Sequence, residues 1–578
     1  MTRPTRRSLL QRTAAGVAFG PLALAASSCT RDEDAPEPSA DDGGPSDDAP
    51  DGAADEEAAS LRPRFHLTAP SGWIGDPQRP VRSGDTLHLY GLHHAEDTVP
   101  GPTSWTHWTS TDLVAFTHQG TALTGADGVD VWSGSAVVDE EDTAGLGAGT
   151  LIALTTRPTD GRAELQEQYL ASSSDGATFA LEAEPVLENP DGRDARTEEE
   201  LAQASWFRDP KLQRDAERGQ WVCALGRDHR VSFWTSPDLR SWESRSDFAY
   251  RDQDPDGPDL GGVECPDLFP LTADDGTAHW VLGASLDGSG AGEPTNYAYW
   301  VGDWDGERFT PTEPAPRWLD RGHDWYAAVT WPSVEDPEHV RHAIGWMNNW
   351  AYAREASATA ASDGYDGQYS VVREVRLVRD ADDALTLVSA PVPALAATAT
   401  AAPDLADQEV AAGASGESAS DGSGIEGSGA EHSGADAEPE GLVELGALGR
   451  AFGLEMDVSW DDGAEAAVTV VGSANGSRGT RITLGGGQLR VDRSGSAIAQ
   501  DGDAEPFAGR TAAVAPIAPD ARSAHLQVLV DTQSVEVFLD DGRTVASMTV
   551  HPSPGEEHVR LHAAGGTARF TGLRLREH

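Results

Sequence analysis

Apolar residues in this chain fall at alternate positions in short runs. Leu87 and Leu89 flank a histidine, and Tyr297, Tyr299 and Val301 flank small or aromatic residues. Farther on, Leu526, Val528 and Val530 are followed across a polar loop by Val535, Val537 and Leu539, and then by the turn Asp540-Asp541-Gly542. A period of two with turn residues between runs predicts antiparallel strands, with one face packed and the other polar. The three-and-four spacing of an amphipathic helix is scarce, so the pattern predicts an all-β protein. The alternation is broken twice. Residues 31–60 are acidic and rich in Pro, Gly and Ala, and no aromatic residue lies between Tyr369 and Phe452. Such stretches bury no core. They divide the chain into a leader at 1–29, an acidic linker at 30–60, a large domain at 61–395, a low-complexity linker at 396–441 and a smaller domain at 442–578.

The large domain repeats itself. Ser110-Thr-Asp112-Leu-Val-Ala-Phe116 recurs at Ser173–Phe179, at Ser236–Trp242 and, more faintly, at Asp303–Phe309, with the aspartates 63, 63 and 67 residues apart. A unit of that length containing several short strands fits one four-stranded propeller blade, and the domain holds five. The second domain reads as an antiparallel β-sandwich. The expected architecture is therefore a five-bladed β-propeller followed by a C-terminal β-sandwich.

Charge excludes some partners. The 578 residues carry 42 Lys and Arg against 96 Asp and Glu, a formal charge of −54, which opposes binding to nucleic acid or to an anionic membrane. Sixteen of the 17 tryptophans lie between Trp73 and Trp350, which puts the large flat side chains in the propeller. Arg6-Arg7 followed by an Ala-rich apolar run has the form of a twin-arginine export signal, too short for a comfortable membrane span. It ends at Ala26-Ser27-Ser28-Cys29, which resembles a lipoprotein cleavage site except that Ala26 stands where Leu is usual. Export by that route is expected, with the product either anchored at the cell surface by a lipid on Cys29 or released outside the cell after ordinary cleavage. Cys223 and Cys265 read as free, buried thiols. His93 and His94 lack the company of a metal-ligand cluster, and no phosphate-binding or dinucleotide fingerprint occurs, so neither a metal nor a cofactor is expected. Nothing in the sequence indicates an oligomeric state.

Five short stretches keep step with the blades: Trp73–Pro77, Val131–Ala136, Trp206–Lys211, Glu264–Phe269 and Asp324–Trp331. Measured at Asp76, Trp132, Asp209, Glu264 and Tyr326, the steps are 56, 77, 55 and 62 residues. If each begins an innermost strand, Asp76, Asp209 and Glu264 meet at the mouth of the central channel. One aspartate before a proline is an ordinary turn; three carboxylates in phase with the blades form a candidate site.

These stretches, in this order, resemble glycoside hydrolase family 32, whose enzymes act on β-fructofuranosides. The matches are Trp73-Ile-Gly-Asp76-Pro, Trp132-Ser-Gly-Ser-Ala136, Arg208-Asp-Pro-Lys211, Glu264-Cys-Pro-Asp267, Asp324-Trp-Tyr-Ala-Ala, Gly345–Trp350, Arg373-Glu374 and Ser534-Val-Glu-Val-Phe-Leu. The resemblance implies Asp76 as nucleophile, Glu264 as acid and base, and Asp209 as stabiliser of the transition state, in a retaining reaction. It gives Arg208 a place in the sugar's hydroxyl network or beside Glu264, with a structural ion pair as the equal alternative. Trp73, Trp132, Ser133, Trp325 and Tyr326 would line the sugar pocket. Gln78-Arg79 and Gly91-Leu92 depart from the family pattern. The variants Trp73-Ile-Gly-Asp76-Pro-Gln-Arg-Pro80 and Asp363-Gly-Tyr-Asp-Gly-Gln368 resemble bacterial levan fructotransferases, with levan-degrading hydrolases as near relatives. Gln78, Arg79 and Leu92 are accordingly expected to shape a two-fructose pocket for levan, a β-2,6-fructan, with cyclisation to difructose anhydride favoured over hydrolysis to levanbiose or fructose. An arabinan-active propeller is a rival enzyme, and a non-catalytic sugar-binding surface lipoprotein a rival of another class.

Overall fold

A computed structural model describes residues 60–578 except 126–127, 356, 381–382, 403, 414–439 and 497–505. The export signal, Cys29, nearly all of the acidic linker and most of the second linker lie outside the described residues.

Five four-stranded antiparallel blades surround a central channel. Their innermost strands are β1 (Gly72–Ser83), β2 (Gly134–Asp139), β3 (Arg208–Asp215), β4 (Glu264–Thr272) and β5 (Tyr326–Pro332). Each neighbours the next around the ring, and β5 closes on β1. The first two blades also share a parallel bridge between Arg79 and Ser135. Each of the five motif stretches begins one of these innermost strands.

The Ser-x-Asp repeat is the turn between the third and fourth strands of the first three blades. Ser110, Ser173 and Ser236 each donate a hydroxyl to the following aspartate, at 3.1, 3.1 and 3.0 Å. That carboxylate then accepts backbone N–H groups one and two residues beyond the turn's apex, as Asp238 does from Arg240 and Ser241. Polar side chains thus satisfy the donors that the bend frees. In the fourth blade Asp305 takes the same role for Glu307 and Arg308.

The second domain is a sandwich of a seven-stranded and a six-stranded sheet around an aliphatic core that includes Leu454, Val468, Leu526 and Val537. Two pieces of the expected 396–441 linker belong to it: Thr400–Ala401 and Gln408–Ala411 pair with the C-terminal strand Thr567–Glu577. The low-complexity composition hid them, because an edge strand needs only one inward apolar side chain, here Val410.

The sandwich docks on the propeller through buried charge. Arg373 on the fifth blade reaches Asp320 at 2.9 Å and also Glu536 on β6 (Ser534–Leu539), all with side chains fully buried. His66 bridges Asp531 and Glu536 at 2.9 and 2.8 Å, and Asp531 also accepts the amides of Arg64, Phe65 and His66. A second buried pair, Asp324 with Arg493 at 2.6 Å, lies on the same interface. Three of the motifs noted in the sequence, around Asp324, Arg373 and Glu536, therefore hold the two domains together.

Candidate active site

The innermost strands share one irregularity. Between Ile74 and Pro77, Arg208 and Lys211, Glu264 and Asp267, and Tyr326 and Val329, the inner strand advances three residues while its partner advances two. A one-residue bulge thus sits just inside the mouth in four of the five blades. A bulge bends its strand and re-aims its side chains, here toward the channel axis. Three of the bulges carry a residue of positive φ: Asp209 (58°), Cys265 (46°) and Ala327 (49°). This left-handed backbone is costly for a residue with a Cβ, and such strain gathers at functional sites. Pro210 and Pro266 fit there because a bulge frees the inner strand from donating a ladder hydrogen bond.

The bulges bring the carboxylates together. Asp76 accepts a 2.5 Å hydrogen bond from Ser133 on the loop leading into β2. The backbone N–H of Cys265 donates to Asp209 at 3.1 Å, while its thiol lies 3.8 Å from Asp76. Glu264 is gripped at both oxygens, by Arg208 at 2.5 Å and by the Tyr326 hydroxyl at 2.6 Å. Arg208 also lies 4.0 Å from Asp209, and its guanidinium covers the ring of Trp206 at 3.8 Å. Asp209 is fixed from behind, its amide donating to Thr156 at 3.0 Å. The side chains of Glu264 and Arg208 remain about one-fifth exposed, so the cluster opens to solvent.

Three acids facing one guanidinium raise the cost of ionisation. Enclosure by protein pushes the Asp76 carboxyl up to about 7, and the nearby charges of Asp209 and Glu264 add to this against Ser133 and Arg208. Asp209 is raised for the same first reason, with Arg208 opposing. Burial and the neighbouring carboxylates also raise the Cys265 thiol, leaving it a neutral filler. Cys223 is likewise a buried free thiol.

The expected binding residues divide. Trp73 folds its indole over Gly75, where a Cβ would come within 2.4 Å of the ring, so only glycine fits beside the carboxylate. It packs on Trp346 and Trp350 to form one wall. Trp132 is half-buried beside Ser133. Four expected residues are placed elsewhere. Gln78 is fully buried and spends its amide on the Asp76 carbonyl and the Gly134 N–H, tying β1 to β2. Arg79 lies deeper in the channel, bonded to the Leu212 carbonyl in a buried layer with Lys211, Asp267 and Arg341. Leu92 packs in the core between the first two blades. Trp325 is fully buried and bonds Ser370. For Gln78, Arg79 and Leu92 the sequence marks an unusual residue but not its direction: the β1 bulge sets which side chains face the mouth. Trp206, Trp346, Trp350 and Cys265 lie in the motifs but were not expected at the site; Trp206, two residues before Arg208 and at the head of its motif, carried the clearest signal.

Fold and site together have the form of a glycoside hydrolase, with three carboxylates gathered at a propeller mouth. Residues 66–391 match the family described as Glycosyl hydrolases family 32 N-terminal domain, and residues 423–577 match Glycosyl hydrolases family 32 C terminal. The chain is 34% identical over 532 residues to the levanbiose-producing levanase of Bacillus subtilis (strain 168), covering 90% of this chain and 92% of that one. It is 38% identical over 342 residues to the levanbiose-producing levanase of Geobacillus stearothermophilus, covering 58% and 80%. The exo-inulinase structure from Aspergillus awamori superposes with a TM-score of 0.73 at 24% identity, over 90% of this chain and 98% of that one. The protein belongs to glycoside hydrolase family 32.

Proposed function

We propose that the protein is a retaining fructan hydrolase that cleaves β-2,6-linked levan and releases levanbiose. The observation that carries the chemistry is the gathering of Asp76, Asp209 and Glu264 in one mouth, where Ser133, Cys265, Arg208 and Tyr326 each bond one of them. Asp76 attacks the anomeric C2 and forms a fructosyl ester, while Glu264 gives its proton to the leaving oxygen. Water then loses a proton to Glu264 and attacks C2, and Asp76 leaves as the carboxylate. Asp209 and Arg208 hold the fructose hydroxyls and the charge that develops on the ring. A sugar-binding protein without catalysis would gain nothing from an acid held at both oxygens beside a second carboxylate.

The substrate rests on the levanbiose-producing relatives. Cyclisation to difructose anhydride drew its support from Gln78, Arg79 and Leu92 as walls of a two-fructose pocket; with those side chains bonded or packed elsewhere, water is the acceptor we favour. We further propose that the chain leaves the cell by the twin-arginine route and works outside it or tethered to its surface, on the strength of Arg6-Arg7 and Cys29. Digestion of levan, followed by product chromatography at early times, tests the reading. Reducing levanbiose as the main product is expected. A non-reducing difructose anhydride would restore the transferase, and inert levan beside cleaved inulin would overturn the substrate.

A further inference from the structure

Tyr369 follows a two-residue strand (Tyr365–Asp366) that pairs with Gly72 and Trp73 of β1. Its amide donates to the Leu67 carbonyl at 2.8 Å, and its ring meets Trp108 edge-on at 5.8 Å. The residue is fully buried, yet its hydroxyl has no hydrogen-bond partner. The oxygen lies against Gly91, where a Cβ would come within 1.9 Å of it. Gly91 pairs directly with Pro77, the residue after Asp76. The unpaired hydroxyl therefore stands behind the strand pair that carries the nucleophile, in space that any other residue at position 91 would occupy.

A buried hydroxyl without a partner costs stability, and one in a native protein calls for an explanation. Filler is the simplest, but phenylalanine would fill the space without that cost. Asp76 offers a partner. Its Oδ2 takes Ser133 at 2.5 Å and faces the Cys265 thiol, while its Oδ1 accepts no hydrogen bond from the described residues. Burial first, and then the Asp76 charge, push the tyrosine pKa far up, so the hydroxyl stays a donor. Hydrogen bonds used in catalysis are often long in a resting enzyme and tighten when the site is occupied.

We propose that Tyr369 is a positioning residue for the nucleophile: its hydroxyl, unpaired at rest, donates to the Asp76 carboxyl group when a fructosyl unit occupies the mouth, and Gly91 is the opening that lets it reach. The proposal rests on Asp76 as the nucleophile. Tyr369 keeps its proton throughout; the bonds made and broken remain those of C2, Asp76 and Glu264.

The test compares Tyr369→Phe, Gly91→Ala and the double variant on levan, reading kcat, KM, the acid limb of kcat/KM and Tm. Tyr369→Phe should lose at least tenfold in kcat with KM within twofold, move the acid limb upward, and leave Tm unchanged or higher. Gly91→Ala should lower both Tm and kcat. Removing the hydroxyl as well should restore Tm in the double variant while its kcat stays as low as that of Tyr369→Phe. Wild-type kcat and acid limb in Tyr369→Phe, or recovery of activity along with Tm in the double variant, would reduce Tyr369 to filler and overturn the proposal. Asp76→Ala, measured in parallel, separates the two claims. Lost turnover there leaves Tyr369 to be judged on its own variants; retained turnover overturns the nucleophile and the proposal with it.

Discussion

At the scale of single residues, the site is held at a cost. The proposed attack on C2 requires an ionised Asp76, yet its surroundings favour the proton. Its carboxyl rises from 3.8 to about 7 on folding. The folded state therefore binds the proton more tightly than the unfolded chain, and stability is lost as pH climbs from about 4 to about 7. Asp76→Asn removes that penalty. It should melt higher than the native protein at pH 8, by calorimetry, while losing turnover completely. In the native enzyme kcat/KM should fall on the acid side of about 7, with a limb that belongs to the coupled carboxylates rather than to Asp76 alone. Glu264→Gln keeps the shape but not the proton and should lose about 10²–10⁴-fold. Azide should rescue Glu264→Ala in part on a substrate with a good leaving group, because that group departs without an acid and azide attacks the fructosyl ester without a base. Asp76→Ala, which forms no ester, should show no rescue.

At the scale of elements, what matters is the bulge. The inner strands of four blades gain one residue at the same level, and three of them turn through the left-handed region there. Ala327 is the cleanest test, because it is fully buried and, unlike Asp209 and Cys265, does not precede a proline. Ala327→Gly should relieve strain and stabilise by about 1 kcal/mol. Ala327→Val should destabilise by more, since a β-branched residue strongly resists positive φ. It should also lower kcat, because a flattened bulge would swing the Tyr326 hydroxyl away from Glu264. Thermal melts and steady-state rates on the same pair of variants check both halves.

At the scale of the whole molecule, the two domains share buried ions. Burial of His66 works against its charge, but hydrogen bonds to Asp531 and Glu536 overcome this and raise its pKa from 6.5 to about 9. A raised histidine contributes stability that is fully present below 6.5 and lost as pH rises through 9. Burial of Glu536 favours its proton, but Arg373 and His66 outweigh that and bring its pKa from 4.5 to about 2, so its contribution is present above 4.5 and lost as pH falls through 2. Docking of the sandwich should therefore be strongest from about pH 4.5 to 6.5. The melting temperature should decline toward pH 9, with a flatter alkaline slope in His66→Gln. Arg373→Ala leaves Asp320 buried without its cation and Glu536 with His66 alone, and should cost about 3–5 kcal/mol. The melt should then split into two transitions if the propeller and the sandwich part before either unfolds.

Some of this was written in the chain itself. Alternating apolar positions and a repeating Ser-x-Asp turn determine the strands and count the blades, because both are local: a strand needs one packed face, and a turn needs its own side chains to satisfy its freed amides. The phase of Asp76, Asp209 and Glu264 against that repeat places them at the start of innermost strands. The direction of a side chain is not local. Gln78 and Arg79 follow Asp76 within three residues, yet one ties two blades together and the other lies in the channel below, because a one-residue bulge shifts which side chains face the axis. The motifs at Asp324, Arg373 and Glu536 look alike in sequence whether they touch a sugar or a second domain. Only the packing of the sandwich against the propeller decided that, by burying each charge opposite its partner.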